Sequence, residues 1–144
     1  MKKISRTAIV EHSAEAMHAL VEDIEAYPRF LPWCKAAQVH SRAPGATRAT
    51  LTLGVGGLRH ALTTQNENRP GEAIRMRLEQ GPFRHFEAEW RFVTLAAHAC
   101  RIEFSLEYEF ASRALGRLLA PLFDGIADSM VEAFVRRAAE VHEG

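Results

Sequence analysis

Hydrophobic and polar positions alternate without a break in RIEFSLEYEF, where Ile102, Phe104, Leu106, Tyr108 and Phe110 oppose Arg101, Glu103, Ser105, Glu107 and Glu109. A period of two puts the first set on one face of a strand and the second on the other. GPFRHFEAEWRF repeats the pattern with Phe86, Ala88, Trp90 and Phe92 on its apolar side, and so do Ile74, Met76 and Leu78, and Leu51, Leu53 and Val55. The alternation predicts strands at 35–43, 47–55, 58–68, 72–80, 85–94 and 99–110, with an earlier one from Lys3 to Val10. Pro44-Gly45, Gly56-Gly57, Pro70-Gly71 and Gly81-Pro82 are turn formers between the first five of the later strands, and the Ala-His stretch at 96–99 separates the last pair. Links this short imply antiparallel neighbours.

Two segments change period. Met17, Leu20, Val21 and Ile24 recur at intervals of three and four, which predicts an amphipathic helix with Ser13 as its N-cap. Tyr27-Pro28 and Leu31-Pro32 end it, because a residue before proline avoids the α region and proline has no donor, so a short broken helix or turn follows. In the last segment Leu115, Leu118, Leu119, Leu122, Phe123, Ile126, Met130, Ala133, Phe134 and Val141 keep helical spacing, while Arg117, Asp124, Asp128, Glu132, Arg136 and Glu140 occupy other faces. A helix over 113–142 would be about 45 Å long, with Pro121 expected to kink or divide it. The order β-α-α-β6-α predicts an α+β helix-grip fold: a curved antiparallel sheet wrapped around a long C-terminal helix, as a single domain over 1–144.

Composition narrows the classes of function. Lys plus Arg and Asp plus Glu number 18 each, so the basic excess of a non-specific DNA binder is missing. The two cysteines, Cys34 and Cys100, lack the spacing of a zinc site or a disulfide framework. They read as buried structural thiols, since Lys35 alone is a weak activator of Cys34, and a reducing cytoplasm fits them. No export signal and no apolar run of about 18 residues is visible, which leaves only peripheral contact with an inner membrane. The histidines at 12, 18, 40, 60, 85, 98 and 142 show neither HxxxH nor HExxH spacing, so no metal is expected. GxGxxG, GxxxxGK[ST] and GxSxG are also absent, so no cofactor is implied.

DIEAYPRFLPWC (23–34), GPFRHFEAEWRF (81–92), CRIEFSLEYEF (100–110) and MVEAFVRRAAEV (130–141) together resemble the START-like (SRPBCC) family over nearly the whole chain. That family contains the mitochondrial coenzyme Q-binding protein and the bacterial ribosome-association toxin RatA, and also carries a polyketide cyclase or dehydrase label. The resemblance implies an apolar cavity between sheet and C-terminal helix. Three functions come with it: binding ubiquinone or a related lipid in support of respiration, binding the large ribosomal subunit and blocking subunit joining, and cyclase or aromatase chemistry.

The candidate ligand-binding residues are the aromatic and apolar groups expected inside: Phe30, Leu31, Trp33, Met76, Phe83, Phe86, Trp90, Phe104, Phe123, Ile126, Met130 and Phe134. Ligand pockets are mainly apolar, but so is ordinary core, and side-chain type alone does not separate the two. Phe30, Leu31 and Trp33 lie on a proline-flanked connection, so they are expected at a mobile pocket mouth, with a rigid plug as the other reading. His60 would face inward with Leu58 and Leu62, a possible partner for a quinone carbonyl, or it is simply exposed. Glu87, Glu89, Glu103, Glu107 and Glu109 fall opposite the apolar face, so no catalytic carboxylate is expected inside and the leading expectation is a non-enzymatic carrier.

Overall fold

A computed structural model of the chain describes residues 1–142 apart from Gly56; that turn residue and the Val55 side chain, both part of the reading above, lie outside the described residues. Seven strands form one antiparallel sheet: β1 (Lys2–Val10), β2 (Cys34–Ala43), β3 (Ala46–Val55), β4 (Leu58–Arg69), β5 (Ala73–Gln80), β6 (Phe83–Ala96) and β7 (Ala99–Phe110). Their spatial order is β1-β7-β6-β5-β4-β3-β2, so every neighbour except β1–β7 is joined by a short turn. Gly45 and Gly71 adopt positive φ (78° and 71°) in two of these turns, a conformation that costs glycine little.

Helix α1 (Ala14–Glu22) starts where the Ser13 hydroxyl accepts a hydrogen bond from the Ala16 N–H at 3.1 Å. It buries Met17 and Val21 against the sheet, and a 3-10 turn (Ile24–Arg29) containing Pro28 follows. Helix α2 (Arg113–His142) is continuous through Pro121. Of the expected kink or division, the division does not occur: Pro121 sits on the exposed side of an unbroken helix. Leu119, Phe123, Ile126, Ala127, Val131 and Phe134 form the buried stripe of α2, whereas Leu118 and Val141, expected on it, are 53% and 47% exposed.

The sheet bends at irregularities in its register. β4 and β5 slip between Thr63 and Thr64, β6 and β7 slip between Phe83 and His85, and the edge strand β2 is irregular against β3 at Cys34/Ala36 and Val39/Ser41. An extra residue on one strand bends it and increases its twist. Helix α2 packs on β1, β7 and α1, at one side of the curve, while β3 and β4 curl round on the other. The outer face carries cross-strand ion pairs, including Arg75–Glu87 and Arg48–Glu79 (2.7 Å), which keeps the expected glutamates out of the interior.

Candidate ligand site

The gap between α2 and the curled half of the sheet is a cavity of about 60 Å3. Its wall is almost entirely apolar. Leu51 and Leu53 of β3, with Leu62 and Thr64 of β4, form one side. Met76 of β5, Phe86, Ala88 and Trp90 of β6, and Phe104 and Leu106 of β7 form the floor. Phe123, Ile126, Ala127, Met130 and Phe134 of α2 close it, with Tyr27 and Trp33 at one end. Trp33, Leu51, Met76 and Met130 are the lining side chains that keep part of their surface in water, which places the mouth between the connection before β2 and the middle of α2.

Of the residues expected to contact a ligand, Trp33, Met76, Phe86, Trp90, Phe104, Phe123, Ile126, Met130 and Phe134 line this space. Trp90 is the floor's largest element, 1% exposed and packed on Phe104 and Phe134 with ring centroids 4.6 and 5.2 Å away. Phe30, Leu31 and Phe83 do not line it, and each has a physical reason. Phe30 stands behind the wall, edge-on to Tyr27 and Phe134 and beneath the Arg137 guanidinium at 5.1 Å. Leu31 is 1% exposed, and its backbone bonds Tyr27 and Cys34, so it is a plug rather than a mobile mouth. Phe83 precedes the slip in β6, stacks on Phe110 and lies tilted against Phe123, outside the cavity wall.

Polar groups near the cavity are few and mostly occupied. The Tyr27 hydroxyl donates to the Val21 carbonyl, and burial pushes its pKa above the ordinary tyrosine value. Thr64 Oγ1 donates to Asn66 Oδ1 at 2.8 Å. His60 shares the inward side of β4 with Leu62 but is half-buried and lies away from the cavity wall. Cys34 is buried beside Trp33, where its Sγ donates to the Ala36 carbonyl at 3.4 Å; desolvation raises its thiol to about 11, outweighing the opposing influence of the Ala36 backbone, so it is protonated at neutral pH. Among the described residues no group of three or more His, Cys, Asp or Glu is placed to hold a metal ion.

Thr64, Asn66, Asn68 and Thr47 are absent from the sequence-derived candidates. The signal was present, because period two carries the inward face of β4 from Leu62 through 64, 66 and 68. A reading that selects apolar residues passes over polar ones on the same face.

Similarity to known proteins agrees with this geometry. The family model described as polyketide cyclase / dehydrase and lipid transport matches residues 10–135. The ribosome association toxin RatA of Escherichia coli (strain K12) is 39% identical over 142 residues, covering 99% of this chain and 90% of that one. The mitochondrial coenzyme Q-binding protein COQ10 homolog B of Xenopus laevis is 29% identical over 142 residues, covering 96% of this chain and 58% of its own. A START superfamily protein from Mycobacterium smegmatis superposes with a TM-score of 0.80 at 24% identity, covering 96% of this chain and 98% of that one, a likeness of fold. The fold is START-like, and the family model together with a relative that matches along almost the full length shows the family: the chain belongs to the polyketide cyclase / dehydrase and lipid transport family.

Proposed function

We propose that the protein is a non-catalytic binder of a hydrophobic small molecule held in the cavity beneath α2. The observation that carries this reading is the wall itself: aromatic and aliphatic side chains almost throughout, with no carboxylate or imidazole among the lining residues. Acid–base chemistry most often uses such a group within hydrogen-bond reach of its substrate, and the one tyrosine hydroxyl in the wall, Tyr27, is already engaged with the Val21 carbonyl; desolvation needs none. Similarity to a coenzyme Q-binding protein supports ubiquinone or a related isoprenoid lipid as the ligand.

Size sets a condition on that ligand. A cavity of about 60 Å3 holds a few waters or part of one ring, whereas an isoprenoid quinone is several times larger. Burial of ~100 Å2 would give roughly 2.5 kcal/mol at 25 cal/mol per Å2, too little to offset the cost of association, while ~300 Å2 would give about 7. Useful affinity therefore requires the wall near Trp33 and Met130 to move outward. Extraction of the purified protein with organic solvent and mass spectrometry tests the reading. Recovery of a quinone or other lipid in near-stoichiometric amount is expected. An empty extract, together with unchanged Trp33 and Trp90 fluorescence on addition of decyl-ubiquinone, would refute it.

The full-length similarity to RatA favours a second reading, association with the large ribosomal subunit so that subunit joining is blocked. On this reading Arg136, exposed on α2, and the partly buried Arg137 beside it meet ribosomal RNA. Arg136 and Arg137 reach Glu132 and Glu140 at 3.2 and 3.4 Å, surface pairs weak enough to exchange for phosphate. Salt-sensitive cosedimentation with that subunit, lost in Arg136→Glu/Arg137→Glu and kept in Trp33→Ala, distinguishes it from the carrier role. A cytoplasmic chain with peripheral contact at a membrane fits this proposal; among the described residues no helix is long and apolar enough to cross one.

A further inference from the structure

Helix α2 exposes an uncharged side along its first half. No acidic residue occurs from Phe110 to Phe123, where the chain reads FASRALGRLLAPLF. Within this stretch Ala114, Leu118 and Pro121 are exposed, and exposed Gly125 continues the same side one turn on. A single exposed leucine needs no explanation, but Leu118, 53% exposed, begins a row. Leu118, Leu122, Ile126 and Met130 recur every four residues, a spacing that winds slowly round a helix. Leu122 is half-buried, and Ile126 and Met130 line the main cavity, Met130 at its mouth. The row therefore leads from open solvent to the ligand space.

The charges beside this row are one-sided. The Ser112 hydroxyl starts the helix by accepting from the Leu115 N–H at 3.1 Å. Carboxylates are favoured in the turn after such a cap and cations are disfavoured, because the helix dipole is positive there. α2 has no acidic residue in its first turn, and Arg113 and Arg117 stand in its opening turns instead. They precede Asp124 and Asp128 by about three turns and so share their side of the helix, where Lys2 and Arg6 of β1 meet the two aspartates. β1 begins at Lys2, so the two arginines lie past its end, exposed and without an ion pair among the described residues. Arg84 reaches the Ala111 carbonyl just before the helix at 3.5 Å and stands 4.0 Å from Glu109. Three guanidiniums facing one carboxylate give this end of the molecule a positive rim.

We propose that the first half of α2 docks on an anionic lipid surface, with Leu118 in the acyl boundary and Arg84, Arg113 and Arg117 at headgroup phosphates. A bilayer surface offers both kinds of partner at two depths, phosphates for the cations and hydrocarbon just below for the aliphatic ridge. RNA offers the first alone, since its bases stack on aromatic rings and guanidiniums rather than on leucines. The inference rests on the cavity reading for its purpose, because a lipid leaving the surface follows the ridge to the mouth, but its test is separate.

Flotation of the full chain with vesicles is that test. Vesicles of equal parts phosphatidylglycerol and phosphatidylcholine are expected to carry the protein up a density gradient. Binding should be about tenfold weaker on phosphatidylcholine alone and should fall as salt is raised. Leu118→Asp, at an exposed position where Tm should hold, is expected to weaken vesicle binding about tenfold or more, and so is Arg113→Glu/Arg117→Glu. Arg136→Glu/Arg137→Glu, nearer the other end of the helix, should float as the unmodified protein does. Failure of the unmodified protein to float with anionic vesicles, an outcome that needs no variant to fold, overturns the docking face. Flotation that Leu118→Asp leaves intact also overturns it. Loss of large-subunit cosedimentation in Leu118→Asp, without vesicle binding, overturns it in favour of a ribosomal contact, and a dimer abolished by the same change overturns it in favour of a second copy. The solvent extract reports on the cavity independently. Lipid recovered from a protein that ignores vesicles ends the docking proposal alone, whereas flotation of a protein whose extract is empty supports the docking face and counts against the carrier reading alone.

Discussion

The Tyr108 hydroxyl donates to the Asp124 carboxylate across the interface between β7 and α2. The same carboxylate oxygen receives Lys2 Nζ from β1 at 2.9 Å, and one turn further along α2 Asp128 is met by Arg6 at 2.6 Å. These contacts fix the helix over one side of the curved sheet, so that the cavity opens on the other.

Loss of that clasp should be visible in stability. Tyr108→Phe keeps the ring against Phe83 and Phe123 and removes the hydroxyl, so a cost of about 1–2 kcal/mol is expected in urea unfolding. Burial works to raise the Asp124 pKa, but the Tyr108 and Lys2 contacts outweigh it and hold the carboxyl below its ordinary value. A depressed carboxylate stabilises the fold above its unfolded value near 4 and loses that contribution as pH falls through the folded value. Asp124→Asn should accordingly flatten the acid limb of the stability profile below about pH 4.

Filling the cavity should abolish binding without unfolding the protein. Ala88 lines the floor of the cavity on a strand, where a β-branched residue is favoured. Ala88→Val adds two methyl groups to the space, so ligand affinity should drop at least tenfold while Tm stays within about 2 °C or rises. A matched loss of Tm and affinity would mean that no room existed there.

His18 provides a second pH handle. It is 4% exposed, set edge-on to Phe92 with ring centroids 5.7 Å apart, and burial lowers its pKa despite Glu22 nearby. A lowered histidine favours the neutral ring, so its contribution is complete above the unfolded value near 6.5 and is lost as pH falls toward the folded one. Thermal unfolding between pH 7.5 and 5 should show this loss, and His18→Gln should reduce the slope.

Core and surface leucines and aromatics should separate sharply. Trp90→Ala removes a ring that is 1% exposed and should cost about 3–5 kcal/mol. Leu118→Ala, at a position 53% exposed, should change stability by less than about 0.5 kcal/mol. Chemical denaturation of both variants measures the contrast.

Much of the architecture was legible because two periods are cleanly separated along the chain. Ile102 to Phe110 and Phe86 to Phe92 carry strict alternation, and Met17 to Ile24 carry helical spacing, so each segment states both its element and its inward face. The site was legible only where apolar character coincides with position. Phe83 was misplaced because a register slip separates it from Phe86, and a slip is a property of the pair of strands that one strand's pattern does not carry. Leu31 and Phe30 were misplaced because proline on either side marks an irregular connection but not which way it packs. The polar cluster on β4 escaped because burial of Asn66 depends on the strand opposite, where Thr47 stands.

The two slips in β2 have a consequence beyond shape. β2 is bonded to one neighbour only, and a strand in that position offers a row of unpaired amides and carbonyls to any passing extended chain. Breaks at Cys34/Ala36 and Val39/Ser41 disrupt the even spacing that such a partner must match, and Lys35 and Arg42 add charge along the same rim. That edge of the sheet thereby resists recruiting further copies into a growing fibre, even though the hollow interior depends on an incompletely closed curve.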